Sequence, residues 1–264
     1  MRSIKSCGVA LLWLFLSTVA ALGAGVQKQP ATREPDPMAL LRQMCDYLAS
    51  LNQFSFHAEI AYDEVYSDGK KLQYGAEMET YVKRPDMIRV NAVGDILDKQ
   101  FFLRDSSITL YDKSQNVYAI MQVPPNIEGA LAKAHEKYNL RVSLTELANP
   151  HLWQLISGKI DKALYVGMAD VGTTPCYHLA YDGPEVELQV WIGAGKKPVP
   201  LKVVFVQKKV PGEPQWSAYL RHWKTSAHLS DGLFKFSPPD GVRKIKFAPR
   251  SRPAAPGSEK GNKS

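Results

Sequence analysis

Cysteine is scarce in this chain: three among 264 residues, at positions 7, 45 and 176. That excludes a small scaffold held together by a dense disulfide framework. Histidine is thin too, and the six imidazoles at 57, 135, 151, 178, 222 and 228 show no metal-ligand spacing with Cys45 or Cys176. The common catalytic motifs are missing: no His-Glu-x-x-His, no Gly-x-Ser-x-Gly and no phosphate-cradling glycine loop. Glu77 with Glu79, and Glu185 with Glu187, share strand faces, but solvated outer faces give that pattern far more often than a glycosidase site does. These absences lead to the expectation of no enzyme activity, no cofactor and no metal.

Long apolar runs are also lacking after residue 24. Before it, Arg2 and Lys5 precede an apolar stretch over residues 9–21, followed by small residues at Ala20, Ala21, Gly23 and Ala24. This is the pattern of a secretory signal peptide over residues 1–24, with cleavage expected after Gly23 or Ala24. The run falls short of the ~20 apolar residues that span a bilayer. A lipid anchor would need a cysteine just after the run, and Cys7 precedes it, so the exported protein is expected to carry none. Cys45 and Cys176 then remain in an oxidising compartment, where a disulfide and two buried thiols are both open readings.

The formal charge of +7 is unevenly placed. Two cations lie in the leader, and seven Lys/Arg with one Glu lie from Arg243 onward. The body between holds 24 cations and 25 anions. A nucleic-acid binder needs its cations on a folded surface. Here the excess of cations lies from Arg243 onward, and four of those seven fall in a Pro/Gly/Ser-rich tail over residues 248–264, read as disordered, so no nucleic-acid partner is expected. Residues 25–36 are read as a flexible N-terminal segment.

Between these ends the hydrophobic period changes once. Asp36-Pro37 opens a helix, and Leu41, Met44, Cys45, Leu48 and Leu51 continue it at helical spacing. From Phe54 the period is two, and strands are expected near 54–62, 72–83, 87–93, 101–103, 107–111 and 117–122. Residues 127–157 lack alternation. They predict two helices, 127–138 and 144–157, the second starting at a Ser143-x-x-Glu146 capping box and interrupted at Pro150. Strands resume at 162–168, 175–181, 186–192, 199–207 and 215–224, with a last short one at 233–236. The fold class is therefore mainly β with some α: a long antiparallel meander that must curl to protect its edges, with helices covering its open side.

Several segments carry a resemblance. Residues 52–58 (NQFSFHA), 81–85 (YVKRP), 102–111 (FLRDSSITLY) and 234–242 (FKFSPPDGV) are similar, in order and spacing, to LolA, the carrier of outer-membrane lipoproteins. Residues 176–180 (CYHLA), 189–192 (QVWI), 197–201 (KPVPL) and 214–216 (PQW) resemble a bacterial family of predicted periplasmic proteins related to LolA. The resemblance implies one LolA-like domain over 37–247, an unclosed, strongly curved antiparallel β-barrel lidded by helices. It also implies a monomeric periplasmic carrier of a lipid, a lipidated protein or another hydrophobic ligand, in exchange with envelope membrane proteins. Ligand contacts are expected on the apolar strand faces, at Ile60, Met78, Val82, Ile88, Val90, Leu110, Leu188, Val190, Val203 and Phe205. An ordinary filled core would carry the same residues. Lid contacts are expected from Leu152, Trp153 and Ile156. The arginine before the proline, Arg84 here, is associated in the family with holding the lid through its backbone. LolA-like domains of the RseB type serve signalling, so a sensor or interaction module is the second reading and an envelope hydrolase the third.

Overall fold

A computed structural model describes residues 34–247. The expectations of a signal peptide over 1–24 and of a disordered tail over 248–264, and most of the N-terminal segment over 25–36, lie outside these residues. The described chain opens with helix α1 (Pro37–Ser50), whose first free amides are capped by the Asp36 carboxylate, 2.9 Å from Met38 N. Six strands follow: β1 (Gln53–Val65), β2 (Lys71–Lys83), β3 (Met87–Gly94), β4 (Leu97–Arg104), β5 (Ser107–Asp112) and β6 (Val117–Gln122). Helices α2 (Ile127–Tyr138) and α3 (Leu152–Ser157) flank a single 3-10 turn, Thr145–Ala148. The chain then returns to strands β7 (Lys162–Val171), β8 (Thr174–Asp182), β9 (Val186–Gly193), β10 (Pro200–Gln207), β11 (Gln215–Lys224) and β12 (Arg243–Ile245).

All twelve strands join one sheet in the order β12-β6-β5-β4-β3-β2-β1-β11-β10-β9-β8-β7. Consecutive hairpins build each half, and the β1–β11 pair joins the two halves antiparallel. Only β12 on β6 is parallel. The sheet does not close, since β7 and β12 stand at opposite ends of the order. The period of two sends Phe54, Phe56, Ala58 and Ile60 of β1 into the core, while Glu59 faces solvent and pairs with Arg221. Helix α1 lays Leu41, Met44, Cys45 and Leu48 into the same core. The Tyr181 hydroxyl ties the helix start to β8 by donating to Pro37 O at 2.7 Å.

Three expectations are corrected. The strand expected at 233–236 is a 3-10 turn, Asp231–Phe234, followed by extended chain. It caps the outer face, where Phe236 sits 5.2–5.5 Å from the rings of Phe102, Tyr111 and Tyr118. Aromatic packing across the face wins over edge pairing there. The capping box does not form, because Leu144 takes a left-handed conformation (φ 66°) and no side chain caps the turn that follows. The gap between the strands expected at 87–93 and 101–103, read from the sequence as a loop over 95–99, shrinks to two residues, since Leu97 already pairs with Gly94.

The cysteine pair resolves as two buried free thiols. Strand alternation explains the separation. Leu179 and Tyr181 of β8 point into the core, so Cys176 points to the opposite face, where its Sγ donates to Thr174 O at 3.3 Å. Cys45 lies within the core on α1. Burial first, and the neighbouring Asp46 carboxylate second, push its pKa up to about 12, so the thiol stays protonated and inert.

Candidate functional site

The inner face of the sheet is not uniformly filled. Beneath α1, the Thr145–Ala148 turn and α3, a cavity of about 330 Å³ opens against β9, β10 and β11. This lies near the lower end of the ~300–1,000 Å³ typical of small-molecule sites. The roof comes from Leu41 and Met44 of α1, Leu144 and Leu147 of the turn region, and Leu152 and Ile156 of α3. The floor is Leu188 and Val190 of β9, Pro200, Val203 and Phe205 of β10, and Trp216 of β11. Phe205 and Trp216 are register partners and stack with ring centres 5.0 Å apart. Polar groups enter the lining only from one segment, as Arg141, Ser143 and Glu146.

The roof is held by local chemistry. The Thr145 hydroxyl donates to Val142 O at 2.7 Å, and the buried Asn149 side chain accepts from His151 N at 2.8 Å. These bonds satisfy backbone that the broken helical segment leaves free. Arg84 does the same from below. It leaves β2 just before Pro85, with Nε 3.2 Å from Ala148 O and Nη1 3.0 Å from Leu48 O, and Nη1 also donates to Leu51 O. Its guanidinium lies 5.5 Å from the Phe54 ring centre. Helix α1 has no basic residue in its last turn, so Arg84 supplies the positive charge that its terminal carbonyls attract.

The expected ligand positions fall into two groups. Leu188, Val190, Val203 and Phe205 line the cavity, with Leu152 and Ile156 opposite. Ile60, Met78, Val82, Ile88 and Val90 are buried in the main core on β1 to β3, and Leu110 packs against it from β5. None of these six lines the cavity. Trp153 is half-buried, outside the cavity lining, with the Arg42 guanidinium 5.7 Å from its ring centre. The filled and hollow readings of the apolar faces thus hold on different halves of one sheet. Leu41, Met44 and Trp216 line the cavity without having been expected there, although the helical spacing of the first two and the parity of Trp216 with Ala218 and Leu220 place them inward.

Glu146 gives the site a pH signature. It is solvent-accessible at one edge, yet desolvation raises its carboxyl pKa, opposed by its own backbone amide, Arg141 and His135. A raised acid pKa means that protonation favours the fold. This contribution is complete below the unfolded value of ~4.3 and is lost as pH rises through the folded value. Glu146→Gln should therefore be more stable than the parent at neutral pH and equal to it near pH 4, as measured by urea unfolding across that range. Equal stability at both pH values would contradict the shift.

A larger hollow of about 570 Å³ lies between β1, β2 and β11, lined by Ser55, His57, Glu79, Tyr81, His222 and Lys224 among others. Phe56 and Trp223 complete its lining, so polar and charged groups alternate there with aromatic ones, in contrast to the largely aliphatic cavity under the roof. Among the described residues, no group of three His, Cys, Asp or Glu side chains stands close enough to hold a metal. No helix among them is long and apolar enough to cross a membrane.

An uncharacterized conserved protein from Thermus thermophilus aligns at 10% identity and TM-score 0.49, covering 78% of this chain and 98% of its own. The Mycobacterium tuberculosis lipoprotein LppX aligns at 12% identity and TM-score 0.43, covering 75% and 100%. A LolA superfamily protein from Nitrosomonas europaea aligns at 11% identity and TM-score 0.37, covering 76% and 98%. No curated protein matches the chain. Residues 37–248, from the start of α1 past the last strand, match the model of the DUF2092 family of predicted periplasmic proteins, and the chain belongs to that family.

Proposed function

We propose that the protein is a non-enzymatic periplasmic binding or carrier protein for a lipidated or otherwise hydrophobic ligand. The observation that carries this reading is the apolar cavity between β9–β11 and the helical roof, whose polar lining is confined to Arg141, Ser143 and Glu146. An acyl chain entering there leaves water for carbon side chains, a gain of ~25 cal/mol for each Å² buried. The Thr145–Ala148 turn and α3 are short pieces joined by turns and held by hydrogen bonds to backbone, so this part of the roof can separate from the sheet while α1 stays in the core. Arg84, bonded to both α1 and the 3-10 turn, is the point where roof and sheet are fastened. Membership in a family of predicted periplasmic proteins supports the compartment.

Native mass spectrometry of the protein isolated from its own periplasm tests this directly. The expected result is a bound mass matching a lipid or an acylated polypeptide, removed by organic solvent. A clean unliganded mass with a stoichiometric, non-lipidated protein partner would overturn it in favour of a sensor module.

A further inference from the structure

The hollow of about 570 Å³ lies on the outer face of the sheet, and a break in strand pairing builds one of its walls. A regular strand alternates its side chains between the two faces. On β11, Trp216, Ala218 and Leu220 are buried in the core, while Arg221 points out to Glu59. By that alternation His222 would point inward. Instead the register slips by one residue between the pairs Ser55–Lys224 and His57–Arg221, so Phe56 stands opposite both His222 and Trp223. His222 takes a left-handed conformation, φ 53°. Its exposed ring lies 6.0 Å from that of His57 on the outer face. Trp223 turns inward, with its ring centre 4.6 Å from that of Phe56, and Lys224 is exposed beside Ser55. The bulge thus gathers Arg221, His222 and Lys224 on one face, which a regular strand cannot do.

The opposite wall is a carboxylate held in place. Glu79 is the β2 register partner of His57. Its Oε2 accepts from the Tyr81 hydroxyl at 3.2 Å and from Asn91 Nδ2 at 3.3 Å. Asn91 is itself oriented by Arg89 Nε at 3.0 Å and Gln100 Nε2 at 3.1 Å, both donating to its Oδ1. Burial first, and the Glu79 charge second, raise the Tyr81 pKa, so this hydroxyl remains a donor. Among the described residues, neither Glu79 nor Lys224 takes part in an ion pair. An anion on β2 therefore faces a cation on β11 across two strand spacings, ~10 Å. His57 stands between them on β1, and His222 stands on the cation's side.

We propose that this hollow binds a phosphorylated amine, a small zwitterion with its ammonium at Glu79 and its phosphate at His57, His222 and Lys224. The site is on the far side of the sheet from the apolar cavity, so it stands whether or not that cavity takes a hydrophobic ligand. The order of charge across the hollow carries the assignment. A simple anion would meet Glu79 and a simple cation would meet Lys224, whereas a ligand with both ends satisfies both walls. Phosphate suits the β11 side, because two imidazole N–H groups and an ammonium converge there as separate donors, and a phosphate offers oxygens on several sides. A primary amine suits Glu79, because it donates hydrogen bonds to the carboxylate that a quaternary ammonium cannot.

Calorimetric titration of the purified protein with O-phosphoethanolamine, inorganic phosphate and ethanolamine tests the site. Phosphoethanolamine should bind at least about tenfold more tightly than either half. Two substitutions read the two walls separately. Glycine adopts φ 53° without strain, so His222→Gly keeps the bulge, removes the imidazole and should weaken phosphoethanolamine and phosphate alike. Glu79→Gln keeps the shape but removes the charge. It should weaken phosphoethanolamine at least about tenfold, yet bind inorganic phosphate as tightly as the parent or more so. Equal affinity of the parent for phosphate and phosphoethanolamine, loss of both ligands in the Glu79 variant, or unchanged binding in both variants would each overturn the proposal. Vesicle flotation distinguishes the source of the group. Flotation that depends on Glu79 and prefers phosphatidylethanolamine to phosphatidylcholine assigns it to a lipid headgroup, and titration without flotation assigns it to a free phosphorylated amine. Neither residue lines the apolar cavity, so a fluorescent acyl probe should bind both variants as it binds the parent. Failure of the parent to bind that probe would sink the hydrophobic-ligand reading and leave this one standing.

Discussion

Replacing Arg84 by Met should cost about 3–5 kcal/mol of folding stability, a large share of the ~5–15 kcal/mol that holds a domain together. The methionine keeps the aliphatic stem but removes every donor. Leu51 O at the end of α1 and Ala148 O in the 3-10 turn then lose the partner that satisfies them, while Leu48 O keeps only its bond from Leu51 N, at 3.2 Å. Each buried acceptor left unpaired costs ~1–3 kcal/mol. Burial lowers the Arg84 pKa, but a guanidinium stays charged at any pH where the protein folds, so the loss should not depend on pH. Arg84→Lys should recover only part of it, since one ammonium cannot span two helical segments as a planar fork does. Urea unfolding gives the size of the effect. Hydrogen exchange of the amides near 48–51 and 145–149 gives its location, and both regions should lose protection together. A cost below about 1 kcal/mol, or protection lost in only one region, would show that Arg84 does not fasten the roof.

Much of the fold was legible in the sequence, for reasons that particular residues make plain. The change of period at Phe54 marks the end of α1, and Asp36-Pro37 marks its start. Strand β6 and helix α2 end where alternation or helical spacing ends, and turn residues bracket each hairpin. Legibility failed where a contact distant in sequence decides the local form. Leu233 and Phe236 sit in a segment that alternates as a strand would, but the aromatic patch of Phe102, Tyr111 and Tyr118 draws it across the sheet. Ser143 and Glu146 have capping-box spacing, yet the left-handed turn at Leu144 removes the geometry that a cap needs. Strand β12 was invisible because two basic residues and an isoleucine carry no pattern until β6 offers them an edge. The candidate site shows the same division. Parity placed Val190, Val203 and Phe205 on the inner face, just as it placed Ile88 and Val90. Which of them meet filled space depends on the helix opposite, and no local pattern encodes that.

Two tryptophan substitutions should separate the hollow half of the sheet from the filled half. Val203 lines the cavity on β10, whereas Val90 on β3 is 1% exposed within the packed core. Val203→Trp places an indole into open volume, so its folding stability should stay within about 1 kcal/mol of the parent. Val90→Trp forces the same indole into close-packed surroundings, where overpacking costs ~1–3 kcal/mol or more. Ligand binding should respond in the opposite sense. The indole at 203 occupies space between Val190 and Ala218, its register partners, and affinity for a fluorescent acyl probe should fall at least about tenfold, or ~1.4 kcal/mol. The indole at 90 lies outside the cavity lining, so the Val90 variant that remains folded should bind the probe as the parent does. Urea unfolding and probe titration on the same two proteins therefore read volume and occupancy independently. If Val203→Trp destabilises as much as Val90→Trp, the space between roof and floor is closed in solution. If it leaves probe binding unchanged, the ligand sits elsewhere, and the roof of α1, the 3-10 turn and α3 covers only an unused gap.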